Sequence, residues 1–507
     1  MNKRFAGQKP ILLILILALA GFAAGQDTAR KPADPSSEDS LLAAMHSIST
    51  LTLYDYVKDL SSEKYEGRLT GTAGYNKAAQ WAADLFKRWN VKPAGSQGSY
   101  LQNFPNPYTL VLPGTEISLQ IPVADRDVIT KAYRLEDDFF PGSTSDSGAV
   151  TAEVVYVGYG ITAPELNYDD YKTVDVKGKL VLMEPEIPVS PEREADEFKR
   201  WRPYSFHDYK ARNAKAHGAA GMIYNYHIAN PNCVFIKDFV LSYVSPGVVN
   251  DIFAGTGRKH DALVERIRSG KEPVSFATGR TVTLKNTTEH HQEGIGANVL
   301  AWLEGNDPVL KNETIIVGGH LDGLGRNPEL MPGAHDNASA VAVTLGVAEA
   351  LGRLGIPLKR SVVFILFGAE EQGVKGSEYY LAHPFVPNDK VIGFFNLESV
   401  GRGERINAGN GRNFPQLFEF IDRNNRKYIH RPVSPGNFNA NLARPRQDAA
   451  HFMWANVPTI SFGASGGSRL PYATYHTSRD TIDIITPDIM VDLARLVFLT
   501  VVEMANK

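Results

Sequence analysis

The run Gly-Gly-His-Leu-Asp places the imidazole of His320 two residues before the carboxylate of Asp322. A metal-bound imidazole commonly donates its second N–H to such a partner, which fixes the tautomer and raises the basicity of the ring. Asp336 follows in Pro-Gly-Ala-His-Asp-Asn-Ala-Ser. It can serve as the N-cap of the helix expected there or, because Asn337 and Ser339 cap equally well, as a metal ligand. Glu370 and Glu371 are adjacent at the end of a very apolar run, and neighbouring carboxylates repel unless a cation or a shared proton lies nearby. They can also be two acids in a solvated loop. With a cation present, one can ligate while the other, aimed at bound water, works as a general base. Glu398 and His476, the latter in Tyr-His-Thr-Ser-Arg-Asp-Thr with Asp480 close behind, extend the set. Each member has an ordinary reading alone. Together His320, His476, Asp336, Glu371 and Glu398 match the nitrogen and oxygen chemistry of zinc. Three carboxylates and a hydroxide would balance two divalent cations, whereas a single zinc would leave excess negative charge in a partly buried cleft.

The elements that must position these groups are legible as patterns. Strand-like Thr314–Gly318, helix-like Ala338–Leu351, strand-like Ser361–Phe367, a short helix from Ser377 and strand-like Val391–Leu397 alternate in order. Val362–Phe367 is the uninterrupted apolar run of a strand covered on both faces. Pro458–Phe462 supplies another strand, and Pro487 opens a last helix whose Ile489, Leu493, Leu496, Val497, Val501 and Met504 form one stripe. The spacing of Ala78, Trp81, Ala82, Leu85, Phe86 and Trp89 predicts an amphipathic helix over 72–89. The expected class is α/β, a mixed, mostly parallel sheet flanked by helices. In such sheets working groups collect beyond the carboxyl ends of the strands, and His320, Glu370, Glu371, Glu398 and His476 all follow strands.

Between about Pro141 and Lys285 the character changes, with strand-like Ala152–Tyr159 and Lys179–Met183 separated by many turn residues. A helix over Asp208–His217, stopped by Gly218 and followed by apolar Gly221–Tyr224, adds an α-then-β step. This predicts a β-rich α+β domain over 141–285, inserted into a larger domain formed by 46–140 and 286–507. Its histidines, His207 and His217 included, read as surface or packing residues.

With 507 residues, 43% of them apolar, the chain can bury large cores in two domains. The 53 basic and 56 acidic residues leave a net charge of -3, which gives no reason to expect nucleic acid or an anionic membrane as the main partner. Lys3, Arg4 and Lys9 precede an apolar run, Ile11–Ala24, too short to span a bilayer comfortably. That pattern predicts a secretory signal over 1–25, cleaved before Gln26, then a flexible leader over 26–45 and a periplasmic or secreted protein without stable membrane association. Cys233, the only cysteine, excludes an internal disulfide and a thiolate metal site, and reads as a small apolar residue.

His-Leu-Asp at His320, Gly-Ala-His-Asp-Asn-Ala-Ser around Asp336, Ala-Glu-Glu-Gln-Gly, Asn-Leu-Glu at Glu398 and Tyr-His-Thr at His476 resemble, in order and spacing, the M28 family of zinc peptidases. Val-Gly-Tyr-Gly-Ile at Val157 and Val-Lys-Gly-Lys at Val176 are similar to a protease-associated domain. The resemblance implies a zinc exopeptidase fold and two zinc ions bridged by Asp336, one held by His320 and Glu398 and the other by Glu371 and His476. It implies Glu370 as the base, Asp322 as a supporting catalytic residue, and peptide substrates cleaved next to a free N-terminus. The chain departs from the family where Glu398 replaces the usual Asp, where Gly323 stands in place of a common His, and where Gln447-Asp448-Ala449 replaces Ser-Asp-His; the last two are expected at the pocket wall.

Three other readings compete. Gly463-Ala464-Ser465-Gly466-Gly467 fits a nucleophile elbow after a strand, but Arg469-Leu470-Pro471-Tyr472 follows where a helix is needed, and no acid lies between Ser465 and His476. A one-zinc glutaminyl cyclase-like enzyme is disfavoured by the full ligand set and the insertion. A peptide-binding protein without catalysis would lack ligands that this chain retains.

Overall fold

The computed structural model describes residues 38–123, 127–232, 234–354, 357–437, 447–466 and 473–507. The signal expected at 1–25, the leader through 37 and Cys233 lie outside them, as does Gly467 onward in the elbow pattern.

The chemistry-bearing part of the chain builds a nine-stranded sheet. Its centre is four parallel strands in the order Ser361–Phe367, Thr314–His320, Val391–Leu397 and Thr459–Ser465. All residues of the first two are buried, as their unbroken apolar runs require of strands covered on both faces. Ile295–Leu303 closes one side and Arg405–Gly409 the other, both antiparallel. Helices Ser339–Leu354 and Pro487–Asn506 pack against one face together with Thr50–Leu60 and Ala73–Arg88, and Lys375–Ala382 and Asp448–Trp454 cover the other. The stripe Ile489, Leu493, Leu496, Val497, Val501 and Met504 is buried, as its spacing predicts.

A second, eight-stranded sheet has its own parallel centre: Gly148–Val157, Leu180–Met183, Gly221–Tyr224 and Val240–Val244. Here the structure departs from the expected boundary. Glu116–Pro122, which lies in the segment 46–140, pairs with Ser275–Asn286 in this second sheet rather than in the first, and Val128–Ala132 of the same segment pairs with Glu116–Pro122 at the sheet's edge. Their alternating apolar residues suit either sheet, so pattern alone cannot assign them. The two chain crossings between the sheets, Tyr108–Val111 and Thr288–His291, pair antiparallel, and the rings of Tyr108 and His291 stack at 4.5 Å.

The expected leader also ends earlier than 45. Glu38–Ser47 is a helix whose Ala44 and Met45 are buried in the main core. Among the described residues no helix is long and apolar enough to cross a membrane.

Leu493 is fully buried where the last helix meets the main core. Leu493→Ala should lower the unfolding free energy measured in urea by about 2–5 kcal/mol, from lost transfer energy and the cavity left behind; an unchanged midpoint would place this helix outside the cooperative core.

Candidate metal centre

Each chemical group leaves its strand at the carboxyl end, so four neighbouring parallel strands deliver them to one rim. His320 is the last residue of its strand, Glu370 and Glu371 follow Phe367, Glu398 follows Leu397, and His476 lies in the loop beyond Ser465. Asp336 comes from the turn Ala334–Ala338 that leads into the helix at Ser339. It caps nothing there. Both its backbone N–H and that of His335 donate to the Asp480 carboxylate, at 3.0 and 2.8 Å, while Asn337 and Ser339 bond elsewhere, Asn337 to the Leu397 carbonyl and the Ser399 N–H.

The Asp336 carboxylate is divided between two partners. Oδ1 lies 3.2 Å from His320 Nε2, which is also 3.3 Å from Glu398 Oε1. Oδ2 lies 3.5 Å from His476 Nε2, which is 3.1 Å from Glu371 Oε2. Donors bound to one zinc at about 2.0–2.1 Å in a tetrahedron stand roughly 3.3 Å apart, so both triplets have the spacing of a shared ion. Asp336 Oδ1, Glu371 Oε1, Glu398 Oε2 and His476 Nε2 are buried with no hydrogen bond of good geometry, a costly condition that a cation would relieve. His320 and Asp336 with Glu398, and Asp336 and Glu371 with His476, form two donor sets that share Asp336.

Glu370 stands beside the donors, its Oε2 4.0 Å from His320 Nε2. Asp322 is fully buried and meets the site from behind. Its two oxygens accept the N–H groups of Glu370 and Glu371, both at 3.2 Å, which fixes the turn carrying the glutamates. For the His320 ring the nearer acceptor is the Asp322 backbone carbonyl, 3.2 Å from Nδ1, with the carboxylate at 3.5 Å. On the other ring, His476 Nδ1 donates to the Ala229 carbonyl at 2.8 Å.

Burial and crowding reshape the acidities. Burial lifts Glu370 well above the ordinary carboxylate range, with His320 opposing and Glu398 and Glu371 adding to the rise. Burial also raises Glu371 and Glu398. Burial would raise Asp336 too, but His320 and His476 outweigh it and hold the carboxyl below its usual range. Burial pulls both imidazoles down, yet the surrounding acids, led by Glu398 for His320 and by Glu371 for His476, push them well above the normal histidine value. The acids thus favour the cationic form of both rings, and a divalent cation would compete with protons for the same nitrogens.

The rim opens into a cavity of about 570 Å³ whose walls come from both sheets, Glu371, Tyr475 and His476 on one side and His207, Tyr224 and Tyr243 on the other. His207 is a buried packing residue, 3.2 Å from the Thr144 hydroxyl, that also borders the cleft, and exposed His217 stacks on Tyr171 at 4.1 Å. Ser465 ends its strand with its hydroxyl on Asn407 at 3.2 Å, far from the role of a nucleophile.

Residues 298–501 match peptidase family M28, and residues 150–238 match the PA domain. The segment that carries every donor from His320 to His476 thus matches peptidase family M28. The chain is 33% identical to leupeptin-inactivating enzyme 1 of Streptomyces exfoliatus over 126 residues, 25% of this chain and 27% of that one. It is 28% identical to the probable leucine aminopeptidase 2 of Aspergillus oryzae over 47% of this chain and 40% of that one, and 25% identical to aminopeptidase YwaD of Bacillus subtilis over 71% and 62%. The chain thus spans less than two thirds of each of these curated relatives. The fold is similar to that of an aminopeptidase from Aneurinibacillus sp. strain AM-1, with a TM-score of 0.64 and 22% identity over 92% of this chain and 96% of that one.

The site also uses groups that motif reading misses. Arg68 is fully buried, 252 positions before His320, and donates to the carbonyls of Leu321 at 3.0 Å, Leu60 at 2.7 Å, and Pro332 and Gly333, both at 2.8 Å. Burial lowers its pKa to about 10, with Asp480, Asp322, Asp336 and Glu371 opposing, so it remains a cation beneath the acids. Gly323 leaves room for it, and Gly67 allows the close backbone packing beside it. A Cβ on Gly67, at φ +70, would meet the Gly325 carbonyl at 2.2 Å, and one on Gly323 would meet the Gly67 carbonyl at 2.9 Å and the guanidinium at 3.4 Å. The Gly323 departure from the family pattern therefore belongs to this packing. Asp448 is fully buried, and neither it nor Gln447, which bonds Ser461 and Asn396, lines the cavity, contrary to the expected place at its wall.

Arg68→Met should lower stability by on the order of 3 kcal/mol, since it removes a buried cation and orphans its carbonyl partners. Thermal unfolding of the metal-free protein measures this, and a loss below about 0.5 kcal/mol, the size of an ordinary surface change, would refute it.

Proposed function

We propose that the protein is an exported, zinc-dependent aminopeptidase with two ions per chain. The observation that carries this reading is the division of Asp336 between two imidazole–carboxylate pairs, each with donor spacings of 3.1 to 3.5 Å. Zinc suits a set of imidazole nitrogen and carboxylate oxygen without sulfur. The zinc aminopeptidase BSAP of Bacillus subtilis has a similar fold, with a TM-score of 0.58 and 19% identity over 91% of this chain and 96% of that one. Relatives named as aminopeptidases support the substrate class. Export is supported by the basic and apolar pattern over 1–25. The catalytic unit would be the first-sheet domain, interrupted by the PA module.

In this reading His320 and Glu398 hold one ion, Glu371 and His476 the other, and Asp336 lies between. Bound there, the ions would supply Lewis-acid polarisation of the scissile carbonyl and a water of lowered pKa. The chain's own work is positional and protonic. Asp322 presents Glu370 toward the cavity through the backbone of the glutamate turn. Burial raises the Glu370 pKa, so its carboxylate can take a proton from the attacking water at Oε2 and return it to the leaving amine nitrogen. The cavity admits a short extended peptide end and excludes a folded chain.

Elemental analysis of the mature protein should find about two zinc per chain, and hydrolysis of aminoacyl chromogenic amides should stop with chelator and return with zinc. Glu370→Gln should retain the metal and lose about 10²- to 10⁴-fold in kcat, the usual worth of a general base. One zinc, or a Glu370→Gln variant with normal turnover, would defeat the assignment. Because the surrounding acids raise both imidazoles above the ordinary histidine value, zinc titration near neutral pH should release protons to a weak buffer, and the affinity should fall as pH drops. Binding without proton release would contradict the charge balance described above.

A further inference from the structure

The loop that carries His476 has little of its own to hold it. His476 adopts φ +54, a left-handed conformation unfavourable for a residue with a side chain. Within 473–480 its support is limited to turn hydrogen bonds such as those of the Thr477 and Asp480 N–H groups. On one side Asp480 fastens the loop to the Asp336 turn, through its carboxylate and through its carbonyl, which accepts the Ala334 N–H at 3.0 Å. The other fastening comes entirely from the second-sheet module. The Ala229 carbonyl accepts from His476 Nδ1 at 2.8 Å, and the nearly buried Glu136 carboxylate takes both donors of Ser478, the N–H at 3.1 Å and the hydroxyl at 2.7 Å. Glu136 lies between strands Val128–Ala132 and Phe139–Pro141 of that sheet, and Phe140 of the latter packs its ring on His227, two residues before Ala229, with centroids 5.1 Å apart. The two points of attachment are thus one unit.

We propose that Glu136 is a positioning residue for the metal centre, and that the inserted module, through Glu136 and the Ala229 carbonyl, holds His476 in the tautomer and orientation that present Nε2 to Asp336 and Glu371. This rests on the reading of His476 as a ligand. An acceptor on Nδ1 places the proton there and leaves the Nε2 lone pair free for a cation. A bidentate carboxylate on Ser478 fixes the backbone two residues further on, where a left-handed residue would otherwise relax. The consequence is selective: the position formed by Asp336, Glu371 and His476 depends on the insert, and the one formed by His320, Asp336 and Glu398 does not.

The test compares metal-free wild type with Glu136→Ala, Glu136→Gln and Ser478→Ala by zinc titration calorimetry and by hydrogen exchange across 473–480. Glu136→Ala should retain one zinc position at wild-type affinity and weaken the other about 10- to 100-fold, the usual cost of losing a group that orients a ligand. The amides of 476–480 should exchange faster even without metal. Glu136→Gln, with one acceptor oxygen left, should recover part of both effects, and Ser478→Ala, which disturbs folding least, should show them in smaller measure. Arg479→Ala, which removes the exposed 3.2 Å contact with Asp137, should change neither. Equal weakening of both positions, or unchanged exchange in a folded Glu136→Ala variant, would overturn the proposal. Wild-type protein that binds no zinc would instead overturn the functional reading, and the exchange data alone would then decide whether the clamp exists.

Discussion

The structure turns on one carboxylate that two imidazoles share. Asp336 can face His320 with one oxygen and His476 with the other only because its backbone is tied to Asp480 and its neighbour Asn337 is tied across to Leu397 and Ser399. Loss of that orientation would separate the two donor sets and leave buried acids with no common counter-charge. The four parallel strands set the distances along the rim, and the turn at Asp336 sets the distance across it. Beneath both, the Arg68 guanidinium ties the carbonyls of Leu321, Pro332 and Gly333 into one platform.

The rim itself was legible because its causes are local. Apolar runs such as Val362–Phe367 declare a doubly covered strand, and chemistry placed directly after such strands has only one place to go. What the pattern could not declare is long-range. Arg68 is indistinguishable in sequence from a surface arginine, because its meaning lies in carbonyls brought to it by the fold. Asp480 stood beside His476 in a recognisable motif, but its partners are backbone N–H groups about 145 positions away. The strands over 116–132 alternate as strands should, yet alternation does not name a sheet. Gln447-Asp448 sits at a position that family pattern associates with the pocket, while in the fold the carboxylate is turned into the interior.

The inserted module is more than a neighbour of the site. Its strands carry a parallel centre and, on one face, a core made only of its own residues, so that half of it is set without the first sheet, while Leu324 and Met331 join the core on the other face. That independence is what lets it act as a rigid wall and anchor: a loop packed against a preformed body is held by contacts that need no further ordering when a ligand arrives. The module's share of the cavity wall includes Ala229, whose carbonyl holds His476, so the shape of that wall and the placement of one imidazole are coupled.

The ribbon formed by Tyr108–Val111 and Thr288–His291 gives that coupling a mechanical character. Two separate tethers would let the module twist and slide. Two crossings laced to each other, and clasped by the stacked rings of Tyr108 and His291, behave as a single flat stem, compliant to bending across its face and stiff to torsion and shear.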